Sequence, residues 1–221
     1  MTLTLHFHPF SSYCQKVLIA LYEAGAPFEK HVVNLGDPDA AAAFRKLWPM
    51  GRFPVLVDGA RGATIPESSI IIEYLDNHHP GGAPMLPEEP ETRLRVRMLD
   101  RFFDHYVMTP MQKIVGDHIR PADARDPAGA AEARALLANA YAWLDEELAG
   151  RTWAAGEAFT MADCAAAPAL FYADLLEPVD QFANVAAYLG RLRARPSFAR
   201  AVDEARPFRI FFPPGWPEGR D

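Results

Sequence analysis

Hydrophobic and polar positions predict two strands around one helix at the start of the chain. Alternating apolar residues are typical of half-buried strands, and apolar residues three and four positions apart are typical of helices. The predicted elements are a strand over residues 2–8, a helix over 12–24 and a strand over 28–34. Gly25 follows the last helical residue, as expected of a C-cap. This segment is a βαβ unit.

A second group of elements follows within the first eighty residues. Extended runs cover residues 53–57 and 63–65, and Asp58-Gly59 between them is a hairpin signal. An apolar helical pattern over 68–78 completes a ββα unit. A βαβ unit followed by a ββα unit predicts an α/β domain with a mixed four-stranded sheet. Thioredoxin has the same order of elements along its chain.

The pattern changes after residue 80. Residues 81–90 contain glycines and prolines that cannot continue a helix, so we predict a linker between a domain at 1–80 and a domain at 91–221. The second domain is predicted to be an all-α helical bundle with an apolar C-terminal tail lying across a groove. Its first helix has a predicted core stripe of Leu94, Met98, Leu99, Phe102, Phe103 and Tyr106. Further helices are predicted over 128–149, 161–176, 181–194 and 197–205.

Composition excludes several classes of partner. The 221 residues are 50% hydrophobic, and the formal net charge of −7 gives no basic surface for nucleic acid or an anionic membrane. We expect neither a signal peptide nor a membrane span at the start of the chain, because residues 1–15 have no basic segment followed by a continuous apolar run. Two cysteines far apart in sequence indicate no disulfide framework, which favours a cytoplasmic location. The seven histidines have no zinc-type spacing, so we expect no metal.

The segment Ser11-Ser12-Tyr13-Cys14 lies at the predicted start of the first helix. Free backbone N–H groups and the helix dipole favour an anion at such a position. The segment resembles the Cys-x-x-Cys site of thioredoxins and glutaredoxins, with Ser11 in place of the first cysteine. Cys14 then has no attacking partner, and we expect it to be buried for structural reasons. The two serines also fit simple helix caps.

Three further motifs complete a family resemblance. Residues 49–56, Pro-Met-Gly-Arg-Phe-Pro-Val-Leu, are similar to the Pro-x-Gly-x-Val-Pro-x-Leu motif of cytosolic glutathione S-transferases. Residues 65–70, Ile-Pro-Glu-Ser-Ser-Ile, resemble the Glu-Ser entry to helix 3 in the same family. Thr160-Met161-Ala162-Asp163 resembles its Thr-x-Ala-Asp helix cap. The whole chain resembles a bacterial, serine-type member with some zeta- and theta-like features.

This resemblance implies a thioredoxin-like domain that binds glutathione as co-substrate. Ser11 matches the hydroxyl that donates to the glutathione sulfur, and Ser12 replaces it if the loop register differs by one residue. A cis proline at Pro54 would let the backbone of Phe53 pair with the tripeptide. The remaining contacts implied are Arg52 with the glycine carboxylate, and Glu67 and Ser68 with the γ-glutamyl group. An edge strand at Pro54, a solvated Arg52 and a plain helix cap at Glu67-Ser68 are the structural alternatives.

The resemblance also predicts a second substrate site and a homodimer. The residues expected to line an apolar cleft between the domains are Phe10, Tyr106, Met108, Met111, Phe208 and Phe211, although each also fits a core position. The leading prediction is a transferase that adds the glutathione thiolate to a small hydrophobic electrophile. The alternatives are a maleylacetoacetate-type isomerase, a disulfide reductase that uses Cys14 or two glutathiones, and a non-catalytic ligand-binding protein.

Overall fold

The computed structural model describes residues 3–219. The first residue of the predicted strand 2–8, the start of the predicted domain 1–80 and the end of the predicted domain 91–221 lie outside the described residues. The strands are β1 (Leu3–Phe7), β2 (Phe28–Val32), β3 (Val55–Asp58) and β4 (Ala63–Pro66). They form one sheet in the order β2-β1-β3-β4, in which β1 is parallel to β2 and antiparallel to β3. The predicted mixed four-stranded sheet is confirmed.

Three helices accompany the sheet. They are α1 (Ser12–Ala24), α2 (Pro38–Leu47) and α3 (Ser68–His78). Helix α1 ends at Gly25, whose φ of 61° is the left-handed conformation that a C-cap glycine provides. Every residue of α1 from Cys14 to Leu21 is buried, so the helix has no solvent-facing side over two turns.

Helix α2 is absent from the sequence-based prediction. It begins with Asp37 accepting a hydrogen bond from the Asp39 N–H and with Pro38 in the first turn, which are standard start signals. Only Ala41 and Phe44 of this helix are buried, so the segment has no long apolar stripe. A helix with so small a buried face gives a weak periodic signal.

The second half of the chain is helical, as predicted. The helices are α4 (Pro90–Phe102), α5 (Thr109–Ile119), α6 (Pro127–Glu147), α7 (Met161–Asp174), α8 (Ala183–Ala194) and α9 (Pro196–Ala205). A π-helical segment, Phe103–Met108, joins α4 to α5. Helix α7 begins at the predicted capping box, in which the Asp163 carboxylate accepts from the Thr160 N–H at 2.8 Å. Within residues 3–219, no helix is long and apolar enough to cross a membrane.

One part of the predicted helical stripe is wrong. Leu94, Met98 and Tyr106 are exposed, whereas Val96 and Val107 are buried beside Leu99 and Phe103. For Tyr106 the reason is the π-helical segment, whose i→i+5 hydrogen bonds change the direction of successive side chains relative to an α-helix. Leu94 and Met98 precede this segment, in the part of α4 where packing buries Val96 and Leu99 instead. The apolar residues therefore divide between a buried face and an exposed face of α4.

The two domains share one hydrophobic core. A single cluster of buried side chains extends from Leu5 and Val17 to Leu99 and Tyr188. Helix α1 packs against α3 of its own domain and against α7 and α9 of the helical domain. The thioredoxin-like domain therefore packs against the helical domain through α1, which contacts α7 and α9.

The C-terminal tail forms a short 3₁₀ helix, Arg206–Phe211, and then returns across the domain junction. Trp216 packs against the rings of Phe10, Phe171 and Phe212, with centroid distances of 6.4, 5.9 and 5.7 Å. The tail thus covers the loop between β1 and α1 from outside.

Asp58 organises the β3–β4 turn through several donors to its buried carboxylate. It accepts hydrogen bonds from the Ala60 N–H at 2.9 Å and the Tyr74 hydroxyl at 2.9 Å, and it lies 2.8 Å from His79 Nε2. Burial opposes ionisation of this carboxylate, but the donors outweigh it and lower the pKa of Asp58 to about 2. His79, at the C-terminal end of α3, thus pairs with the Asp58 carboxylate.

We expect Asp58→Asn to reduce the acid sensitivity of the fold. Because the pKa of Asp58 is about 2 in the folded protein and about 3.9 when unfolded, its contribution is present above about pH 4 and is lost as the pH falls through about 2. Urea unfolding at a series of pH values should show a shallower acid loss in Asp58→Asn than in wild type. The exposed Asp39→Asn serves as the control, and equal acid slopes in both variants would contradict the assignment.

Candidate active site

A polar cavity of about 720 Å³ lies between the start of α3, the loop before β3 and helix α4. Five of the predicted site residues line it together: Arg52, Phe53, Pro54, Glu67 and Ser68. The Phe53–Pro54 peptide bond is cis, as expected for this turn. In the polar cavity the chain therefore brings a cis-proline turn next to a helix N-terminus.

Two charged side chains of the polar cavity have no ion-pair or hydrogen-bond partner within residues 3–219. Arg52 supplies a free guanidinium and Glu67 a free carboxylate, and both line the same cavity. Glu67 also has a φ of 71°, in the left-handed region that costs a non-glycine residue about 1–3 kcal/mol. Strained backbone conformations of this kind are concentrated at functional sites. Glu67 lies immediately before Ser68, the first residue of α3.

The other charges of the polar cavity are paired. Arg97 binds Glu73 through two nitrogens, at 2.9 and 2.7 Å. Arg101 contacts Asp100 at 2.7 Å and Asp104 at 2.6 Å. The cavity thus has one cation and one anion left to meet a ligand.

A largely buried ionic cluster in the wall of the polar cavity joins the two domains. Lys16 Nζ of α1 is 2.6 Å from Asp100 Oδ1 and 2.9 Å from Asp104 Oδ2, and its side chain is almost fully buried. Lys16 also donates to the Ser69 hydroxyl at 2.9 Å, and Ser69 donates to Asp100 at 2.8 Å. Burial is the main cause of a raised pKa at Asp104, which Lys16 opposes. Lys16 is therefore a structural cation rather than a surface residue.

A second, apolar cavity of about 400 Å³ adjoins the first. Phe53 and Gln112 line both cavities, so the two meet at these side chains. The other lining residues are His8, Phe10, Ser11, Ser12, Met111, Val115, Gly116, Ile119, Tyr172, Phe211, Phe212 and Pro213. None of these lining residues is Asp, Glu, Lys or Arg.

The start of α1 places both serines in the apolar cavity. Ser11 is the N-cap, and its Oγ accepts from the Cys14 N–H at 3.4 Å, which leaves its hydroxyl hydrogen available for another acceptor. Ser12 begins the helix and is buried. An anion at this position would face both hydroxyls and the positive end of the helix dipole.

Comparison with known proteins places this geometry in a family. Residues 5–84 match the glutathione S-transferase N-terminal domain, and residues 127–191 match the glutathione S-transferase C-terminal domain. The chain is 31% identical to a stringent starvation protein A homolog of Coxiella burnetii, over 76% of this chain and 75% of that protein. The chain belongs to the glutathione S-transferase family.

Two other similarities extend over almost the whole chain. A crystal structure of a glutathione S-transferase from Methylobacillus flagellatus with bound glutathione superposes with a TM-score of 0.83 at 26% identity, covering 90% of this chain and 98% of that one. A probable maleylacetoacetate isomerase of Vibrio cholerae is 28% identical over 94% of this chain and 98% of that protein. These matches confirm the family and the two-domain fold inferred from sequence.

The structure of this glutathione S-transferase family member separates the residues expected in the electrophile cleft. Phe10, Met111 and Phe211 line the apolar cavity, whereas Tyr106, Met108 and Phe208 do not. Met108 is buried in the core and Tyr106 is exposed beside Phe102, because both belong to the π-helical segment with its altered side-chain directions. Tyr106 and Met108, which the sequence predicts in the wall of the cleft, therefore do not line the apolar cavity. Phe208 instead packs on the His8 ring.

Several lining residues are absent from the sequence-based prediction. Val115 and Ile119 of α5 line the apolar cavity on the same side as the predicted Met111, and the spacing of four residues between them is a helical signal that the sequence does contain. His8 and Tyr172 come together only through the fold. Tyr13 faces the polar cavity, and burial, followed by the charge of Asp104, raises its pKa to about 12.

Both cysteines of the family member are buried thiols. Burial raises the pKa of Cys14 to about 12, against smaller opposing effects of hydrogen bonds with Ser11 and His8. A thiol of this kind is neither accessible nor ionised near neutral pH. Within residues 3–219, no group of three or more His, Cys, Asp or Glu side chains could hold a metal ion.

Proposed function

We propose that this protein is a glutathione transferase that activates the glutathione thiolate for attack on a small hydrophobic electrophile. One observation carries the proposal. The polar cavity, with an unpartnered Arg52 and Glu67 on either side of the Phe53–Pro54 turn, continues into an apolar cavity at the hydroxyls of Ser11 and Ser12. A zwitterionic tripeptide fits the first cavity and an apolar molecule fits the second.

The placement of glutathione follows from its charges. The ammonium of its γ-glutamyl group pairs with Glu67, and the carboxylate of that group takes the Ser68 hydroxyl and the N-terminus of α3. The glycine carboxylate lies near Arg52, and the cysteine backbone pairs with that of Phe53. The thiol then points toward Ser11. The glutathione S-transferase from Methylobacillus flagellatus, which shares this fold, was crystallised with bound glutathione.

We expect Glu67→Gln to weaken glutathione binding about 5- to 20-fold, because the γ-glutamyl ammonium loses a charged acceptor. Glutamine keeps the side-chain length and the same backbone strain, so the comparison isolates the charge. Calorimetric titration measures the dissociation constant in wild type and variant.

Two controls sharpen this experiment. Cysteinylglycine lacks the γ-glutamyl group, so its affinity should not change between wild type and Glu67→Gln. Glu88 is exposed and outside the polar cavity, and Glu88→Gln should bind glutathione like wild type. Undetectable binding of millimolar glutathione by the wild-type protein contradicts the proposed function itself.

An isomerase is the second candidate, because the chain aligns with nearly all of a probable maleylacetoacetate isomerase. Such a reaction needs the same thiolate and releases it again. A disulfide reductase that relays through Cys14 is disfavoured by the burial of that thiol, although a route through two glutathiones does not need it. Turnover assays with maleylacetoacetate, an aryl halide and a mixed disulfide of glutathione separate the three reactions. Glutathione binding without turnover of any of them would support a binding protein.

We also propose a homodimer formed through the exposed apolar face of α3 and α4. Ile70, Leu94 and Met98 are 54%, 63% and 42% exposed, and salt-bridged Arg97 and Glu73 connect the two helices beside them. Exposed large apolar side chains grouped on adjacent helices are typical of a subunit interface. A reducing, cytoplasmic compartment remains our expectation because both cysteines are free.

We expect Met98→Glu to shift the protein from dimer to monomer, since a buried unpaired charge strongly disfavours association. Light scattering after size-exclusion chromatography gives the mass of each species. Ile210→Glu, at an exposed apolar position of the tail, is the control and should remain dimeric. A monomeric wild-type protein at high micromolar concentration contradicts this assembly.

A further inference from the structure

His8 lies inside the apolar cavity and belongs to none of the contacts described for glutathione. Its ring packs between Phe53, at a centroid distance of 6.0 Å and nearly parallel, and Phe208, at 4.8 Å and edge-on. Two aromatic neighbours therefore hold the imidazole in one orientation. The Ser11 N–H donates to the His8 backbone carbonyl at 3.0 Å, which ties the residue to the start of α1.

The hydrogen bonds of His8 define which ring nitrogen carries the proton. His8 Nδ1 accepts from the Phe10 N–H at 3.2 Å, so Nδ1 is unprotonated and the neutral ring has its hydrogen on Nε2. Burial lowers the pKa of His8, which keeps the ring neutral at pH 7. Within residues 3–219, Nε2 has no hydrogen-bond partner. The apolar cavity therefore contains a fixed donor that needs an acceptor.

The other polar groups of this cavity are already occupied or lie at its edge. The Tyr172 hydroxyl accepts from Gln15 at 2.9 Å and donates to the Phe10 carbonyl at 3.4 Å. Ser11 and Ser12 face the thiolate, and Gln112 is exposed at the junction with the polar cavity. His8 is the donor that remains for the second substrate.

We propose that His8 is a catalytic residue that donates its Nε2–H to a carbonyl oxygen of the electrophile, which makes apolar α,β-unsaturated carbonyl compounds the preferred substrate class. This inference rests on the proposed glutathione transferase function. A neutral donor among uncharged lining residues suits a neutral carbonyl, because a carboxylate would find no cation in the apolar cavity.

The step balances with solvent as proton donor. The glutathione thiolate forms a bond to the β-carbon, the π electrons of the carbon–carbon double bond form a new double bond between the α-carbon and the carbonyl carbon, and the carbonyl π electrons move to the oxygen. The resulting enolate oxygen accepts the hydrogen bond from His8 Nε2. The α-carbon then takes a proton from water, which regenerates the carbonyl, and the hydroxide left behind is neutralised by the proton that glutathione lost on forming its thiolate. Because negative charge develops on the oxygen, the hydrogen bond is stronger in the transition state than in the bound substrate.

Two glutathione conjugates that differ by one oxygen test the contact by binding. S-(3-oxo-3-phenylpropyl)glutathione, the adduct of an aryl enone, carries a ketone beside the phenyl ring, and S-(3-phenylpropyl)glutathione has a methylene at that position. His8→Asn keeps an acceptor for the Phe10 N–H and removes the ring and its Nε2–H, whereas His8→Gln places an amide N–H near the position of Nε2. We expect His8→Asn to weaken the ketone conjugate about three- to tenfold more than the phenylpropyl conjugate, and His8→Gln to restore part of this difference.

Rates supply a second readout. For His8→Asn we expect kcat/KM to fall about 10- to 100-fold with an aryl enone and less than about threefold with a benzyl halide, which develops no charge on oxygen. Equal effects of His8→Asn on both conjugates and on both electrophiles would overturn the role of His8 while leaving the proposed function intact. Binding of neither conjugate by the wild-type protein would overturn both.

Discussion

Replacing Lys16 with methionine should lower the free energy of unfolding by about 3–5 kcal/mol, the largest stability effect that we expect from a single substitution in this chain. Methionine fills a similar volume, so the loss comes from charge. Without Lys16, the buried carboxylates of Asp100 and Asp104 keep an ion pair with Arg101, whose side chain is half exposed. Chemical denaturation monitored by circular dichroism measures the difference.

The same substitution at an exposed lysine is the control. Lys113 is 47% exposed and lies 3.6 Å from Glu132, so Lys113→Met should cost less than about 0.5 kcal/mol. The double variant Lys16→Met, Asp104→Asn removes one of the uncompensated charges and should recover part of the loss. Equal stability of the two single variants would show that the buried cluster contributes no net stability.

The largest effect on activity that does not depend on the choice of electrophile is expected from Ser11→Ala. Loss of the hydroxyl donor should lower kcat/KM for conjugation about 10- to 100-fold, because hydrogen bonds to charged groups contribute about 1.5–3 kcal/mol. The pKa of the bound glutathione thiol, about 8.5 in free thiols, should rise relative to that in the wild-type complex. Ultraviolet absorbance of the bound thiolate as a function of pH measures this shift directly.

Two comparisons identify the responsible hydroxyl. Ser11→Gly also lacks the hydroxyl but largely keeps the cap, so it should lose the same activity and less than the roughly 1 kcal/mol of stability that alanine costs. Ser12→Ala should have the smaller effect on kcat/KM. A larger loss in Ser12→Ala would move the donor role to Ser12, and an unchanged thiolate titration in both variants would contradict activation by either serine.

Much of the fold can be predicted from the sequence because local signals and burial agree. Helix α1 has an N-cap at Ser11, a C-cap at Gly25 and a strongly apolar sequence, and the predicted range of 12–24 agrees with the structure. Helix α2 has good start signals but only two buried residues, so its periodicity was too weak to detect. Helix α4 shows the opposite problem, because its sequence contains two apolar faces and only packing decides which of them is inside.

The candidate site divides in a similar way. The polar cavity is built from residues that adjoin two recognisable turns, at Pro54 and Glu67, so the sequence locates it. The apolar cavity joins side chains from the β1–α1 loop, α5, α7 and the tail, and nothing local connects His8 with Met111 or Phe212. The π-helical segment adds a change of register that no α-helical periodicity anticipates.

The complete enclosure of α1 between Cys14 and Leu21 limits how modular this protein can be. A fragment ending at the linker would expose the half of that helix that α7 and α9 cover, and it should aggregate or remain unfolded instead of behaving as an autonomous thioredoxin-like unit. Exchange of the helical half between relatives would succeed only where the donor's surface complements these same α1 side chains, so the two halves of such a chain must evolve together.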